Sequence, residues 1–146
     1  MARRKDRLRV VLDTNVVVAA FLSTKRQSVN WQVLRLWFRR QLQLVVSEDV
    51  VAEYVLLLHR LRIPPKRVGA FHQRLRRQDI VTHVNLGPRF TESRDPDDNI
   101  LLATAAAGRA RFLITNDRDL LDILTAQRRK FRFEIVTPQE FLARVT

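Results

Sequence analysis

A chain of 146 residues with 46% hydrophobic side chains is long enough for one core and too short for two, so a single domain spanning 1–146 is expected. The absence of cysteine excludes disulfides and thiolate zinc sites. The net charge of +12 is almost wholly arginine, whose forked guanidinium matches phosphate oxygens, so a polyanionic partner, nucleic acid above all, is the physical reading.

No apolar stretch is long enough to span a bilayer, because Asp13 and Asn15 interrupt the best candidate. Met1 to Arg7 is charged and lacks the apolar segment of a secretory signal, which makes a cytoplasmic protein the expectation.

In chain order, Arg9 to Leu12 is the apolar, β-branched start of a buried parallel strand, closed by Asp13-Thr14-Asn15. Those three residues suit a helix cap equally well, with a short helix over Val16 to Phe21 behind them. Ser28 to Arg40 places Val29, Val33, Leu36 and Trp37 on one helical face and arginines on the other. Leu42 to Val46 reads as the second strand, and Ser47 as the N-cap of a helix with an inward stripe of Val50, Val51, Tyr54, Val55 and Leu58. Glu53 stands within that stripe, either at the rim of the core or pointed into a site.

Ile63-Pro64-Pro65 ends this helix and opens the next, Lys66 to Arg77, whose Val68, Phe71 and Leu75 face inward and whose other face is basic. Ile80 to Val84 is the third strand and Leu86 to Ser93 a loop. Asp95 as N-cap and Pro96 at the first position start an apolar helix through Ala107, with Gly108 as its C′ residue. Arg111 to Thr115 is the fourth strand, closed by Asn116-Asp117-Arg118-Asp119 and a short helix over Leu120 to Leu124. Phe131 to Val136 is an edge strand, and Thr137-Pro138-Gln139-Glu140 a capping box for a last helix ending near Arg144. Such alternation implies a mostly parallel sheet covered on both faces.

Acids recur at the ends of these strands. Asp13 and Asp117 follow the first and fourth, while Glu53 and Asp98 lie in early turns of the helices after the second and third. Brought together, such carboxylates repel by about 4 kcal/mol per close pair at an effective dielectric near 20, and a divalent cation is the natural compensation. Oxygen ligands favour magnesium or manganese, and His59, His72 and His83 have no ligand-pair spacing, which leaves them as surface or partly buried polar residues.

At this point the chain resembles the PIN-domain family of metal-dependent nucleases, many of them toxins of prokaryotic toxin–antitoxin pairs. The resemblance runs from Leu12-Asp13-Thr14-Asn15 through Glu53, Asp95-Pro96-Asp97-Asp98-Asn99 and Thr115-Asn116-Asp117 to Val136-Thr137-Pro138. It implies a three-layer α/β/α sandwich on a five-stranded parallel sheet. By the same resemblance Asp13, Glu53, Asp98 and Asp117 are the Mg²⁺- or Mn²⁺-binding acids, with Asn15 and Thr115 as their supporting partners and Asp97 or Asp119 as neighbours onto which the assignment could slip. The activity implied is hydrolysis of RNA phosphodiesters, with RNA held by the arginine-rich helices, an antitoxin as protein partner and a homodimer as the assembly.

Two other phosphoryl-transfer families fit less well. A haloacid-dehalogenase-type domain needs a second Asp where Asn15 stands, and a receiver-like domain needs paired acids before its acceptor strand and a lysine after a late strand. A non-catalytic RNA- or partner-binding module with the same fold is the alternative from a different class, and the acids at all four positions argue against it.

Overall fold

The computed structural model describes residues 7–25, 27–86, 96–123 and 125–145, with 96–99 and 125–126 described by backbone alone. Five strands form one sheet: β1 Leu8–Leu12, β2 Leu42–Ser47, β3 Val81–Val84, β4 Phe112–Ile114 and β5 Glu134–Val136. Their order is β3-β2-β1-β4-β5, and every pairing is parallel. The chain thus starts at the centre, builds outward to β3, then crosses back to add β4 and β5 on the other side. The order reverses between β1 and β4, which is where open parallel sheets hold their ligands.

Parallel pairing needs long crossovers, and these are helical. They are α1 Thr14–Leu22, α2 Val29–Phe38, α3 Glu48–Arg60, α4 Pro65–Leu75, α5 Pro96–Ala107, α6 Arg118–Leu121, α7 Thr125–Arg128 and, after β5, α8 Pro138–Val145. The register decides which side chains each layer covers. Val10, Leu44 and Phe112 share a face, and Phe112 packs edge-on against Phe141 of α8 with ring centroids 5.3 Å apart. Val11, Val45 and Leu113 point the other way, toward α5, and all are fully buried. Burial on both faces is why these strands are continuous apolar runs without alternation.

The expected helix signals are present. Ser47 caps α3 by accepting from the Val50 amide, and Val50, Tyr54 and Leu58 are buried while Val51 and Val55 are half-buried. Thr137 and Glu140 form a reciprocal capping box, each side chain accepting from the other's amide at 3.1–3.2 Å. The edge strand β5 begins only at Glu134, because its register pairs Glu134 with Phe112, the first residue of β4, leaving 131–133 no strand to pair with. The short helix expected over Leu120 to Leu124 is a single turn ending at Leu121, and α7 had no signal in the sequence. Asp95 and most of the expected 86–93 loop lie outside the described residues.

Gly108 corrects a reading. The left-handed residue that ends α5 is Arg109, with φ 53°, and the Ala110 amide reaching the Ala105 carbonyl completes the motif. Gly108 is needed for closeness instead, since a Cβ there would lie 2.1 Å from a methyl of Val45. Arg40 and Arg62 occupy the same left-handed position after α2 and α3, so three helices end on arginine where glycine is the usual residue.

Gly69 within α4 and Gly108 just after α5 therefore separate. Gly108→Ala forces α5 away from the sheet and should destabilise by roughly 1–3 kcal/mol. Gly69→Ala, in α4 with nothing within 4 Å of the new Cβ, should stabilise by up to about 1 kcal/mol. Urea denaturation of both variants checks this, and equal effects would contradict the packing described.

Candidate active site

The site is built at the carboxyl ends of β1 and β4. Asp13 follows β1 directly, and its backbone amide donates to the Ile114 carbonyl at 2.9 Å, continuing the ladder one residue past the strand. Asp13 is only 7% exposed. One oxygen accepts from the Asn15 amide at 3.4 Å, the capping role the sequence allowed. The other accepts from the Thr115 hydroxyl at 2.6 Å and the Asn15 side-chain amide at 3.2 Å. The capping reading of Asp13 holds, and the backbone cap of α1 engages only one of its two carboxylate oxygens.

Thr115 connects two of the acids. Its buried hydroxyl donates to Asp13 and accepts from the Asp117 amide at 2.9 Å, while Asp117 itself caps α6 through the Asp119 amide. Glu53 reaches the same region from α3, where it accepts from the buried hydroxyl of Thr14 at 2.9 Å. Tyr54, the next residue on α3, is fully buried and donates to the Leu12 carbonyl, fastening the helix to the end of β1.

Electrostatics tie the acids together. Burial pushes the Asp13 carboxyl up to about 6; the bonds from Thr115 and the Asn15 amide oppose this, and the charges of Asp117 and Glu53 add to it. The Tyr54 hydroxyl is raised well above its ordinary value, first by burial and then by Asp13 and Glu53. Asp13 therefore feels the charges of two of the other expected acids, Asp117 and Glu53. Asp98 and Asp97 belong to the first turn of α5, and their side chains lie outside the described residues. Ile100 of the same helix shares a cavity of about 490 Å³ with Asp49 and Glu53, so the start of α5 abuts α3. Among the described residues no three acids stand close enough to form a metal cage by themselves.

The donor set nevertheless fits a hard divalent cation. Its ligating atoms are carboxylate oxygens steadied by hydroxyls and amides, and a buried carboxylate facing two others is an arrangement that a cation relieves.

Comparison with known proteins bears on the same residues. Residues 9–119 match the family model of the PIN domain. The chain belongs to the PIN-domain family. This PIN domain is similar to an uncharacterized protein of Methanocaldococcus jannaschii, 25% identical over 148 residues, covering 94% of this chain and 92% of the relative. In fold it is similar to the crystal structure of VapBC2 from Rickettsia felis bound to a DNA fragment from their promoter. That likeness has a TM-score of 0.53 and 14% identity, over 89% of this chain and 98% of the other.

Several residues of this PIN domain carry parts that the sequence did not assign to them. Thr14 positions Glu53, and Asn116 bridges Asn15 and Asn30, donating its backbone amide to the first and its side-chain amide to the second. Thr104, buried in α5, lies 2.9 Å from the Ser47 hydroxyl, linking α5 to the start of α3. None has a local signal, since each partner is tens of residues away. The three histidines, irregular in sequence, are all exposed and line one cavity of about 690 Å³ beside β3. The basic face of α4 is partly consumed by packing, with Arg67 over the Phe21 ring and Arg74 over the Phe38 ring. Among the described helices, none is long and apolar enough to cross a membrane.

The raised Asp13 carboxyl fixes a pH dependence for the metal-free protein. Unfolded, it ionises near 3.8; folded, near 6. The protonated form is favoured in the fold, so this contribution is full below pH 3.8 and lost as pH rises through 6, by about 3 kcal/mol at 1.4 kcal/mol per unit. Urea midpoints in chelator should show Asp13→Asn gaining on the wild type between pH 4 and 6.5. A constant difference across that range would mean that Asp13 is not desolvated.

Proposed function

We propose that this PIN domain is a Mg²⁺- or Mn²⁺-dependent endoribonuclease, acting in the cytoplasm as the toxin of a toxin–antitoxin pair. The observation that carries this reading is the buried Asp13 carboxylate at the point where strand order reverses, joined to Asp117 through the Thr115 hydroxyl and within electrostatic reach of Glu53. An uncompensated anion so placed weakens the fold, which argues for a ligand that the fold is built to take.

In this reading Asp13, Glu53, Asp117 and Asp98 hold the ion. The bound cation supplies an activated water at neutral pH and stabilises the leaving oxygen of the phosphodiester. The chain's own contribution is geometric: Thr115 and Asn15 fix the Asp13 rotamer, Thr14 fixes Glu53, and the α6 cap fixes Asp117. The histidines stand in a different cavity, so proton transfer near Asp13 falls to water and carboxylate. The net charge of +12 supports RNA as the polyanionic substrate. The antitoxin partner and the homodimer follow from family resemblance, and the fold shared with a chain of the VapBC2 complex is consistent with a paired protein.

Cleavage of a labelled single-stranded RNA should require Mg²⁺ or Mn²⁺, stop in chelator, and fall by at least about 10²-fold in Asp13→Asn, since the ion's position sets both nucleophile and charge stabilisation. Mn²⁺ should raise the melting temperature of the wild type and leave that of Asp13→Asn unmoved. Full cleavage in chelator, or an equal thermal shift in both proteins, would remove the metal mechanism.

A further inference from the structure

A ladder of amides leads outward from Asp13. Asn15 is held at both ends: its side-chain amine donates to the Asp13 carboxylate at 3.2 Å, and its carbonyl accepts the Asn116 backbone amide at 3.3 Å. The Asn116 side-chain amine then donates to the Asn30 carbonyl at 2.9 Å, joining the β4–α6 loop to the first turn of α2 across 86 residues of sequence. Asn116 is exposed and Asn30 half-buried. The bonding of this outer pair is incomplete. An asparagine side chain has both a donating amine and an accepting carbonyl. Among the described residues, the Asn116 carbonyl and the Asn30 amine have no partner, so the pair offers one acceptor and one donor. Joining a loop to a helix takes a single hydrogen bond, and two amides in contact carry more capacity than that joint uses.

We propose that Asn116 and Asn30 read the edge of an unpaired RNA base beside the scissile phosphate, which makes them specificity-determining residues. This rests on the ribonuclease reading above. A phosphodiester accepts hydrogen bonds and donates none, so it engages only the Asn30 amine. A nucleobase carries donors and acceptors along its Watson–Crick edge and engages both groups, provided the RNA is single-stranded there. Neutrality suits the place. An arginine at 30 or 116 would be drawn to the acids and compete with their cation, and a carboxylate would repel the substrate; an amide does neither. The pair is also near and rigid. Three hydrogen-bonded links tie it to the Asp13 carboxylate, so a base beside the cut meets amides that are already ordered while its phosphate lies at the acids.

Asn30→Asp separates reading from joining, because a carboxylate still accepts the Asn116 amine but has no proton to donate. Asn116→Ala removes the pair and keeps the backbone amide that supports Asn15. Neither side chain bonds to Asp13, Glu53 or Asp117, so both variants should show the wild-type melting shift with Mn²⁺. Full-length protein with Mn²⁺ is given unstructured RNA of randomised sequence, and the cut ends are sequenced. The wild type should favour one base by at least about fivefold at a position next to the cut, and both variants should bring that preference below about twofold. In chelator, oligo(A), oligo(C) and oligo(U) of about 12 nucleotides compete against a labelled RNA, and the wild-type spread of at least about fivefold should close in both variants. A wild type without base preference, or variants that retain it, would overturn the assignment. So would Asn30→Asp behaving as wild type while Asn116→Ala does not, which is the outcome of a joint alone. A preference that vanishes when deoxyribose replaces ribose at that nucleotide would give the pair to the 2′-hydroxyl and overturn it as well. A wild type that does not cut, yet discriminates among the oligonucleotides and loses this in the variants, would sustain the pair and reject the nuclease.

Discussion

The structure turns on a single buried carboxylate. Asp13 sits where β1 stops, in a position that is almost fully desolvated, and the fold answers with three donors. Hydrogen bonds from Thr115 and the Asn15 amide lower its proton affinity, but burial outweighs them, and Asp117 and Glu53 push it further the same way. An apolar residue of similar size would relieve the protein of this burden. Its presence, with Thr14, Tyr54 and Asn116 arranged around it, shows the surrounding elements held in register for that edge of the sheet.

What makes such an edge available is the strand order. β1 is central, flanked by β2 and β4, so the loops that leave it and β4 diverge to opposite faces and open a crevice between them. The α1 start uses that crevice for a cap, α6 does the same with Asp117, and both caps leave carboxylate oxygens at the rim. Helix capping and site construction thus use the same atoms.

The candidate site acids and the arginines that enter the strands lie at opposite ends of the strand axis. The candidate acids Asp13 and Asp117 follow strands, while an arginine stands shortly before each strand, with Asp79 and Glu134 the acids beside them. Individual arginines then diverge in role. Arg67 and Arg74 lie on aromatic rings, Arg40 and Arg77 share Asp79, and Arg109 stands in a left-handed turn. A basic helix in the sequence is therefore a poor guide to which cations meet a polyanion.

The sequence by itself determined the alternation of strands and helices, the parallel sheet, the caps at Ser47 and Thr137, and the candidate acid at the end of β1, because each depends on residues within a turn or two of one another. Resemblance to the family, rather than any local pattern, singled out Thr115 and Asn15. The sequence did not reveal the role of Gly108, whose smallness matters only because Val45 lies opposite, nor Thr14, Asn116 and Thr104, whose partners are 39 to 101 residues away. The meeting of three histidines in one cavity was likewise invisible. Periodicity and capping are local chemistry. Which side chains meet across the sheet is set by strand order and register, and these only the packed tertiary structure decided.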